Sequence, residues 1–231
     1  MPLNLQQQRL KDGKTVIAVN VAGKNPDVMQ ALSKSGAHMA FIDCERTGIG
    51  IDAATELIRA AKIANLTAIV RSWSKDPTVL VQYLDRQVDG LVVPHINTPK
   101  DVADVVELFR YACGDKSADK TIIVQIETVE AINNLDAIMQ VPGVDAYLIG
   151  PNDLAYDMTG VRGARTPDVL NMVDHVSERL RLAEKRFGMP ADWSQLEHFQ
   201  QLGATFLYFP IEWLIDKALK DLHGLLGISN Q

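Results

Sequence analysis

The sequence predicts a TIM (β/α)8 barrel spanning residues 1–231 as a single domain, and three observations carry that expectation. About eight short apolar, β-branched runs alternate with about eight capped or amphipathic stretches, and no region holds strands alone. The runs are mostly apolar rather than alternating, as expected for parallel strands covered on both faces. Polar residues crowd their C-terminal ends, reading Asp43-Cys44-Glu45-Arg46, Arg71-Ser72-Trp73, Pro94-His95, Glu127-Thr128 and Gly150-Pro151-Asn152-Asp153, and that rim is where a β/α barrel keeps its chemistry. The rival, a doubly wound open sheet, lacks its fingerprint: no G-x-G-x-x-G follows the first strand, where AVNVAGKNPD stands.

Taken in order, the expected strands are Thr15 to Val21, His38 to Asp43, Thr67 to Arg71, Gly90 to Pro94, Thr121 to Ile126, Ala146 to Ile149, a weak run near Phe187 to Met189, and Thr205 to Phe209. Helices are expected between them at Pro26 to Ser35, Asp52 to Ala64, Pro77 to Arg86, Pro99 to Ala112, Val129 to Met139, within Pro167 to Phe187, at Trp193 to Leu202 and at Ile211 to Leu226. Asn25, Asp76 and Thr98 each precede a proline, the pattern of an N-cap followed by a residue whose missing N–H costs a first turn nothing. The least regular stretches are Gly114 to Lys120 and Thr159 to Thr166, the latter carrying Arg162 and Arg165.

Composition narrows the function classes. With 231 residues, 47% of them hydrophobic and 23% charged, the chain can bury a large core. No apolar run approaches the roughly 18 residues a membrane helix needs, and MPLNLQQQRLKDGKT lacks the apolar core of a signal peptide, so a soluble, cytoplasmic protein without a membrane partner is expected. A formal charge of −6 without any basic run argues against nucleic acid as a partner. Two cysteines, Cys44 and Cys113, are too few for a disulfide scaffold and lack metal-ligand spacing, so both read as reduced thiols.

The most informative segment is VQIETVEAINNLDAIMQVPGVDAYLIGPNDL, from Val124 to Leu154. It reads as strand, helix, strand: Thr128 opens the helix, Ala131, Leu135, Ile138 and Met139 form its apolar stripe, and Pro142-Gly143 ends it. One right-handed crossover makes the two strands parallel, so Glu127 and Asp153 emerge at the same end. Converging carboxylates repel unless a cation or proton sits between them, and hard divalent cations prefer such oxygens. Magnesium is the first expectation, with manganese or cobalt as alternatives.

At these residues the chain resembles the HpcH/HpaI aldolase family of class II, metal-dependent pyruvate aldolases. The resemblance covers nearly the whole chain and is most specific in the Val124–Leu154 segment; FIDCERTG, AIVRSW and LVVPHINT resemble the family's motifs after the second, third and fourth strands, and LGATFLYF its last strand. It implies that Glu127 and Asp153 bind the metal, which holds pyruvate through its ketone and carboxylate oxygens. It also implies that backbone amides around Asn152 and Asp153 help hold that carboxylate, that Arg71 stabilises the enolate oxygen, and that Gln125 lies in the same rim. A small 2-oxo acid is the implied partner, and a homo-oligomer, hexamer or trimer, the implied assembly. The implied activity is a carbon–carbon lyase interconverting a 4-hydroxy-2-oxo acid with pyruvate and an aldehyde. Oxaloacetate decarboxylation, a citrate-synthase-like condensation, and a non-catalytic barrel that binds a keto acid are the alternatives.

Three departures qualify the resemblance. The family usually carries a histidine after the glutamate of its second-strand motif, working with the aspartate in acid/base chemistry; here Asp43 and Glu45 are followed by Arg46, which cannot give up a proton near neutral pH. The base role then falls to a metal-activated hydroxide or to His95. The arginine- and glycine-rich loop after the fourth helix is reduced to GDKSADK, and the seventh strand is short, while the eighth ends in the unusual Phe209-Pro210-Ile211-Glu212.

Each candidate also has a plain structural role. Glu127 and Asp153 suit helix starts; Arg71 suits an ion pair with Asp43 or Glu45 across neighbouring strands. Gln125 can satisfy hydrogen bonds inside the barrel, and Arg46 can pair with Glu45 or Asp43 or bind an anion. His95 can be a general base or a structural imidazole, and Trp73 can line the rim or pack under a loop. His38, His175, His198 and His223 fall at a strand start or in helices and are expected to be non-catalytic.

Overall fold

Eight parallel strands follow one another around a closed barrel in chain order: β1 (Val16–Asn20), β2 (Met39–Asp43), β3 (Thr67–Arg71), β4 (Gly90–Val93), β5 (Thr121–Ile126), β6 (Ala146–Ile149), β7 (Phe187–Pro190) and β8 (Phe206–Pro210), with β8 pairing back onto β1. The computed structural model describes residues 5–190 and 192–227. The helices are α1 (Leu5–Lys11), α2 (Val28–Lys34), α3 (Ile51–Ile63), α4 (Pro77–Asp85), α5 (Pro99–Cys113), α6 (Val129–Asn133), α7 (Leu135–Gln140), α8 (Pro151–Thr159), α9 (Pro167–Leu182), α10 (Leu196–Gln201) and α11 (Ile211–Leu226), with a 3-10 turn at Gly114–Asp119. No helix among the described residues is long and apolar enough to cross a membrane. Cys44 and Cys113 are free thiols, as expected.

The expected TIM barrel is therefore the observed fold, and the local chemistry explains why. Asp76 accepts from the Thr78 N–H at 2.8 Å and caps α4; Thr98 and Asp101 form a reciprocal capping box on α5; Thr128 accepts from Ala131 and caps α6. Asn25 does not cap α2. Its side chain accepts from the Asp27 N–H at 3.0 Å, closing an Asx turn that delays the helix to Val28. The single helix expected over Val129 to Met139 is two, broken at Asn134, whose amide donates to the Asn97 carbonyl at 2.8 Å.

Successive strand residues point to opposite faces, so each strand feeds two packed zones. The inner zone holds Val16, Ala18, Met39, Phe41, Ile69, Val92, Ile123, Ala146, Leu148 and Phe206. The outer zone packs Ile42, Val70, Leu91, Val124 and Ile149 against helix residues such as Leu57, Leu80, Phe109 and Leu135. Helix α1, which the sequence reading did not anticipate, lies across the N-terminal mouth: Leu10 joins the inner zone, and the Gln7 amide donates to the carbonyls of Asp89 and Asp119, each 2.9 Å away, just before β4 and β5. With the lower end plugged, the upper end of the same interior is free to be polar.

Candidate active site

Inward parity carries the site. Asp43, Arg71 and Gln125 continue the inward series of Phe41, Ile69 and Ile123, and Glu127 follows Gln125 by two residues on the same face. The β2–β3 register sets Asp43 directly beside Arg71. The Arg71 guanidinium donates from Nε to Asp43 Oδ1 at 2.9 Å and from Nη2 to Oδ2 at 2.6 Å, and its Nη1 lies 3.1 Å from Glu45 Oε2. Burial opposes the charged form of Arg71, yet the hydrogen bond and charge of Asp43, with Glu45, raise its pKa above the ordinary arginine value. Asp43 Oδ1 also accepts from the backbone N–H groups of Glu45 and Arg46, at 3.1 and 3.2 Å. The ion pair named as the plain role of Arg71 is thus present, with both expected partners.

Glu127, only 2% exposed, accepts from the His95 backbone N–H at 2.8 Å on Oε1, while the Gln125 amide donates to Oε2. The Gln125 Oε1 is buried without a hydrogen-bond partner. Glu45 sits beside this group, and burial first, then the neighbouring charge of Glu127, raises its carboxyl pKa against the opposing pull of Arg71. His95 is half exposed. A hydrogen bond to Glu127 raises its imidazole pKa despite some burial. Glycine is required at position 150: an added Cβ would stand 2.9 Å from Glu127 Cβ and 3.1 Å from Gln125 Nε2.

Asp153 lies in the first turn of α8, a helix the sequence reading treated as a turn with amides and did not count as an element. Pro151 at its start fixes the local backbone and leaves the amides of Asn152 and Asp153 near a helix N-terminus. The Asp153 carboxylate pairs with Arg46 and with Arg162 Nε, the latter at 3.2 Å. Of the roles open to Arg46, the side-chain pair with Glu45 or Asp43 is not the one formed: the guanidinium reaches across the rim to Asp153, while its backbone serves Asp43.

A cavity of about 310 Å³ opens on this C-terminal rim. Its wall includes Asp43, Arg46, Arg71, Asn152, Asp153 and Arg162. Asn20, Tyr208 and Trp213 also line it, and sequence reasoning missed them. The signal for Asn20 and Tyr208 was available: each is a polar residue of inward parity near a strand's C-terminal end, with Asn20 Nδ2 donating to Tyr208 Oη at 2.6 Å. Trp73 does not line this wall; it packs edge-on against Tyr83, ring centres 5.9 Å apart, because it continues past the strand into the loop before α4. His95, Gln125 and Glu127 lie beside the cavity and not in its wall, joined to it through Glu45 and Gly150. The histidines expected to be non-catalytic include His38, whose Nδ1 accepts from the Ile17 N–H at 3.0 Å, and His198, paired with Asp174 at 2.9 Å. A wider groove of about 650 Å³ lies at the opposite end of the barrel, lined by Gln7, Asp89 and Lys120 among others.

A model of the HpcH/HpaI aldolase/citrate lyase family matches residues 17–211. The chain is similar to the hydroxypyruvate/pyruvate aldolase of Roseovarius nubinhibens, 25% identical over 91% of each chain. It is likewise similar to the 4-hydroxy-2-oxovalerate aldolase of Rhodococcus jostii, 27% identical over 91% of each. A family protein from Burkholderia cenocepacia shares the fold with a TM-score of 0.86 at 23% identity, over 96% of this chain and 99% of that one.

Proposed function

We propose, for a chain that belongs to the HpcH/HpaI aldolase/citrate lyase family, a divalent-metal-dependent carbon–carbon lyase activity that interconverts a 4-hydroxy-2-oxo acid with pyruvate and an aldehyde. Aldolase chemistry of the carbon–carbon lyase class is the activity that the family and its named relatives support. The observation that carries the finer reading is the meeting, on one rim, of the buried carboxylate Glu127 with an arginine locked in place by Asp43 and Glu45.

The residues fit a divalent cation. Glu127 is almost fully buried, and among the described residues no lysine or arginine pairs with it. The oxygen of Gln125 beside it has no donor, and Glu45 adds a second acidic group whose proton affinity is already raised. Hard oxygens in excess of positive charge suit such an ion. Glu127 and Asp153 would hold it, and when bound it supplies Lewis acidity toward a ketone oxygen and offsets enolate charge.

The remaining work falls to the chain itself. Arg71 spends one N–H from Nε and one from each Nη on Asp43 and Glu45, which leaves each Nη a second N–H for a substrate oxygen. Because that guanidinium is held before substrate arrives, it needs no reorganisation when charge develops on an enolate oxygen. The amides of Asn152 and Asp153 at the start of α8 suit the substrate carboxylate. Burial raises the Tyr208 pKa, so its hydroxyl stays a donor at neutral pH, at the cavity wall. Arg46 and Arg162 hold Asp153 and line the same cavity.

The test is pyruvate release from several 4-hydroxy-2-oxo acids with magnesium, manganese or cobalt added. Metal-dependent release, with solvent deuterium entering the pyruvate methyl group, is the expected result; neither release nor exchange with any metal would sink the reading. A second reading is favoured by Arg46 and Arg162 both lining the cavity: enolate chemistry on a substrate with an extra carboxylate, such as oxaloacetate. Turnover of oxaloacetate with inertness toward aldols, reversed by Arg46→His, would select it.

A further inference from the structure

We propose that His95 is a nitrogen ligand of the metal site, set with Glu127 and Glu45, and that it turns the site's preference from magnesium toward divalent transition metals such as cobalt. The inference rests on the reading of Glu127 as a metal ligand and goes beyond it in naming a third residue and a class of ion.

The backbone gives the first reason. His95 has φ +58°, in the left-handed region that side chains other than glycine seldom enter. Such a conformation persists where the surroundings impose it. Here it lets one residue address Glu127 twice: the backbone N–H lies 2.8 Å from Oε1, and ring Nδ1 lies 3.3 Å from the same oxygen. The other ring nitrogen, Nε2, is 3.9 Å from Glu45 Oε1, the carboxylate oxygen that does not face Arg71.

The second reason is the set those atoms form. One ligand atom each from Glu45, His95 and Glu127 lie within 4.8 Å of one another. Neighbouring ligand atoms at about 2.1 Å from one ion stand about 3.0–3.4 Å apart, and His95 Nδ1 with Glu127 Oε1, at 3.3 Å, already has that spacing, with Glu45 beside the pair. An imidazole whose Nε2–H is turned to a carboxylate, here Glu45 Oε1, presents its Nδ1 lone pair to a metal, the arrangement that orients metal-binding histidines generally.

One independent observation points to a ligand at this place. Gln125, fully buried, holds Glu127 through its amide nitrogen while its Oε1 has no hydrogen-bond partner. Asp153, by contrast, is engaged by two guanidiniums, which weakens it as the sole partner of Glu127. Adding one nitrogen to an oxygen set favours cobalt, nickel or zinc over magnesium, which demands oxygen and retains its waters.

The test uses the metals alone on the full chain at pH 8: calorimetry with cobalt and with magnesium, and pulsed electron paramagnetic resonance of the manganese-loaded protein for nitrogen coupling. His95→Asn is the variant, because asparagine tolerates the left-handed backbone; Glu127→Gln and Asp153→Asn are its companions. The expected result is nitrogen coupling in the parent that is absent from His95→Asn. Cobalt affinity should fall on the order of tenfold or more in that variant, with magnesium affinity changed by less than about twofold. No nitrogen coupling in the parent, coupling that persists in His95→Asn, unchanged cobalt affinity, or equal loss of cobalt and magnesium would each overturn the proposal. If Glu127→Gln and Asp153→Asn then abolish binding, the carboxylate pair stands without the imidazole. No binding of cobalt, manganese or magnesium to the parent would remove both.

Discussion

Replacing Arg71 by alanine separates its two roles. The side chain is 13% exposed and its partner Asp43 2%, and the variant loses two charge-assisted hydrogen bonds to Asp43, at 2.9 and 2.6 Å, and a 3.1 Å contact with Glu45. Breaking a buried pair by removing one partner costs about 3–5 kcal/mol, because the other charge stays behind. Asp43 keeps backbone N–H donors from Glu45 and Arg46, which places the expected loss at the lower end, about 3 kcal/mol. For a chain of this size that lowers the thermal midpoint by roughly 6–12 °C. Circular dichroism melts and urea titrations measure it, and Asp43→Ala in the same background completes the cycle. The doubly substituted protein should cost less than the sum of the single variants by about 1–3 kcal/mol, since no orphaned charge remains from that pair. A loss below about 1 kcal/mol for Arg71→Ala, or strict additivity, would refute the structural half of the argument. Full pyruvate release by the folded variant would refute the catalytic half.

Three further outcomes follow from the same geometry. Gly150→Ala puts a methyl 2.9 Å from Glu127 Cβ, and the displaced carboxylate should lower kcat/KM about 10- to 100-fold, read by pyruvate release; unchanged activity would remove the Gln125–Glu127 pair from the site. Glu127→Gln should abolish divalent-metal binding in equilibrium dialysis while shifting stability by no more than about 1 kcal/mol, because Gln125 can turn its amide and give its unpartnered Oε1 a donor. Leu10→Ala, at the closed end, should cost about 2–5 kcal/mol in denaturant titrations yet leave turnover per folded molecule unchanged; an equal loss of turnover would mean the two ends are not independent.

The strands were legible because a parallel sheet covered on both faces demands continuous apolar runs, and β3, β5 and β6 begin and end where the sequence pattern places them. Helix α1 was not, because a seven-residue helix rich in glutamine has no periodic stripe; its anchoring comes from Gln7 and Leu10 meeting residues far along the chain. Helix α8 was hidden by the Gly-Pro-Asn sequence, which reads as a turn although Pro151 is a favoured first helical residue. In the site, residues ending β2, β3 and β5 could be read from strand ends and parity. The partner of Arg46 could not, since nothing local tells a long side chain to prefer Asp153 over its own neighbours Asp43 and Glu45. Trp73 shows the converse: proximity to the rim in sequence did not place it in the cavity wall, because the loop turns it onto Tyr83.

The bond between Asp43 and Arg71 also bears on how the barrel finds its own alignment. Every strand side chain changes face if a strand slips by one residue, and an all-parallel barrel has eight such alignments to set. Apolar runs are poor judges of a slip, because both faces of each strand are greasy. Asp43 and Arg71 are strict judges: they meet as register partners only in the native pairing of β2 with β3. One step of slippage would turn a carboxylate or a guanidinium into the apolar layer beneath the helices, with no counter-charge there to receive it. The same pair that shapes the rim therefore discriminates against misaligned sheets, so a substitution that leaves the native contacts tolerable can still slow or divert assembly by removing the penalty on the wrong ones.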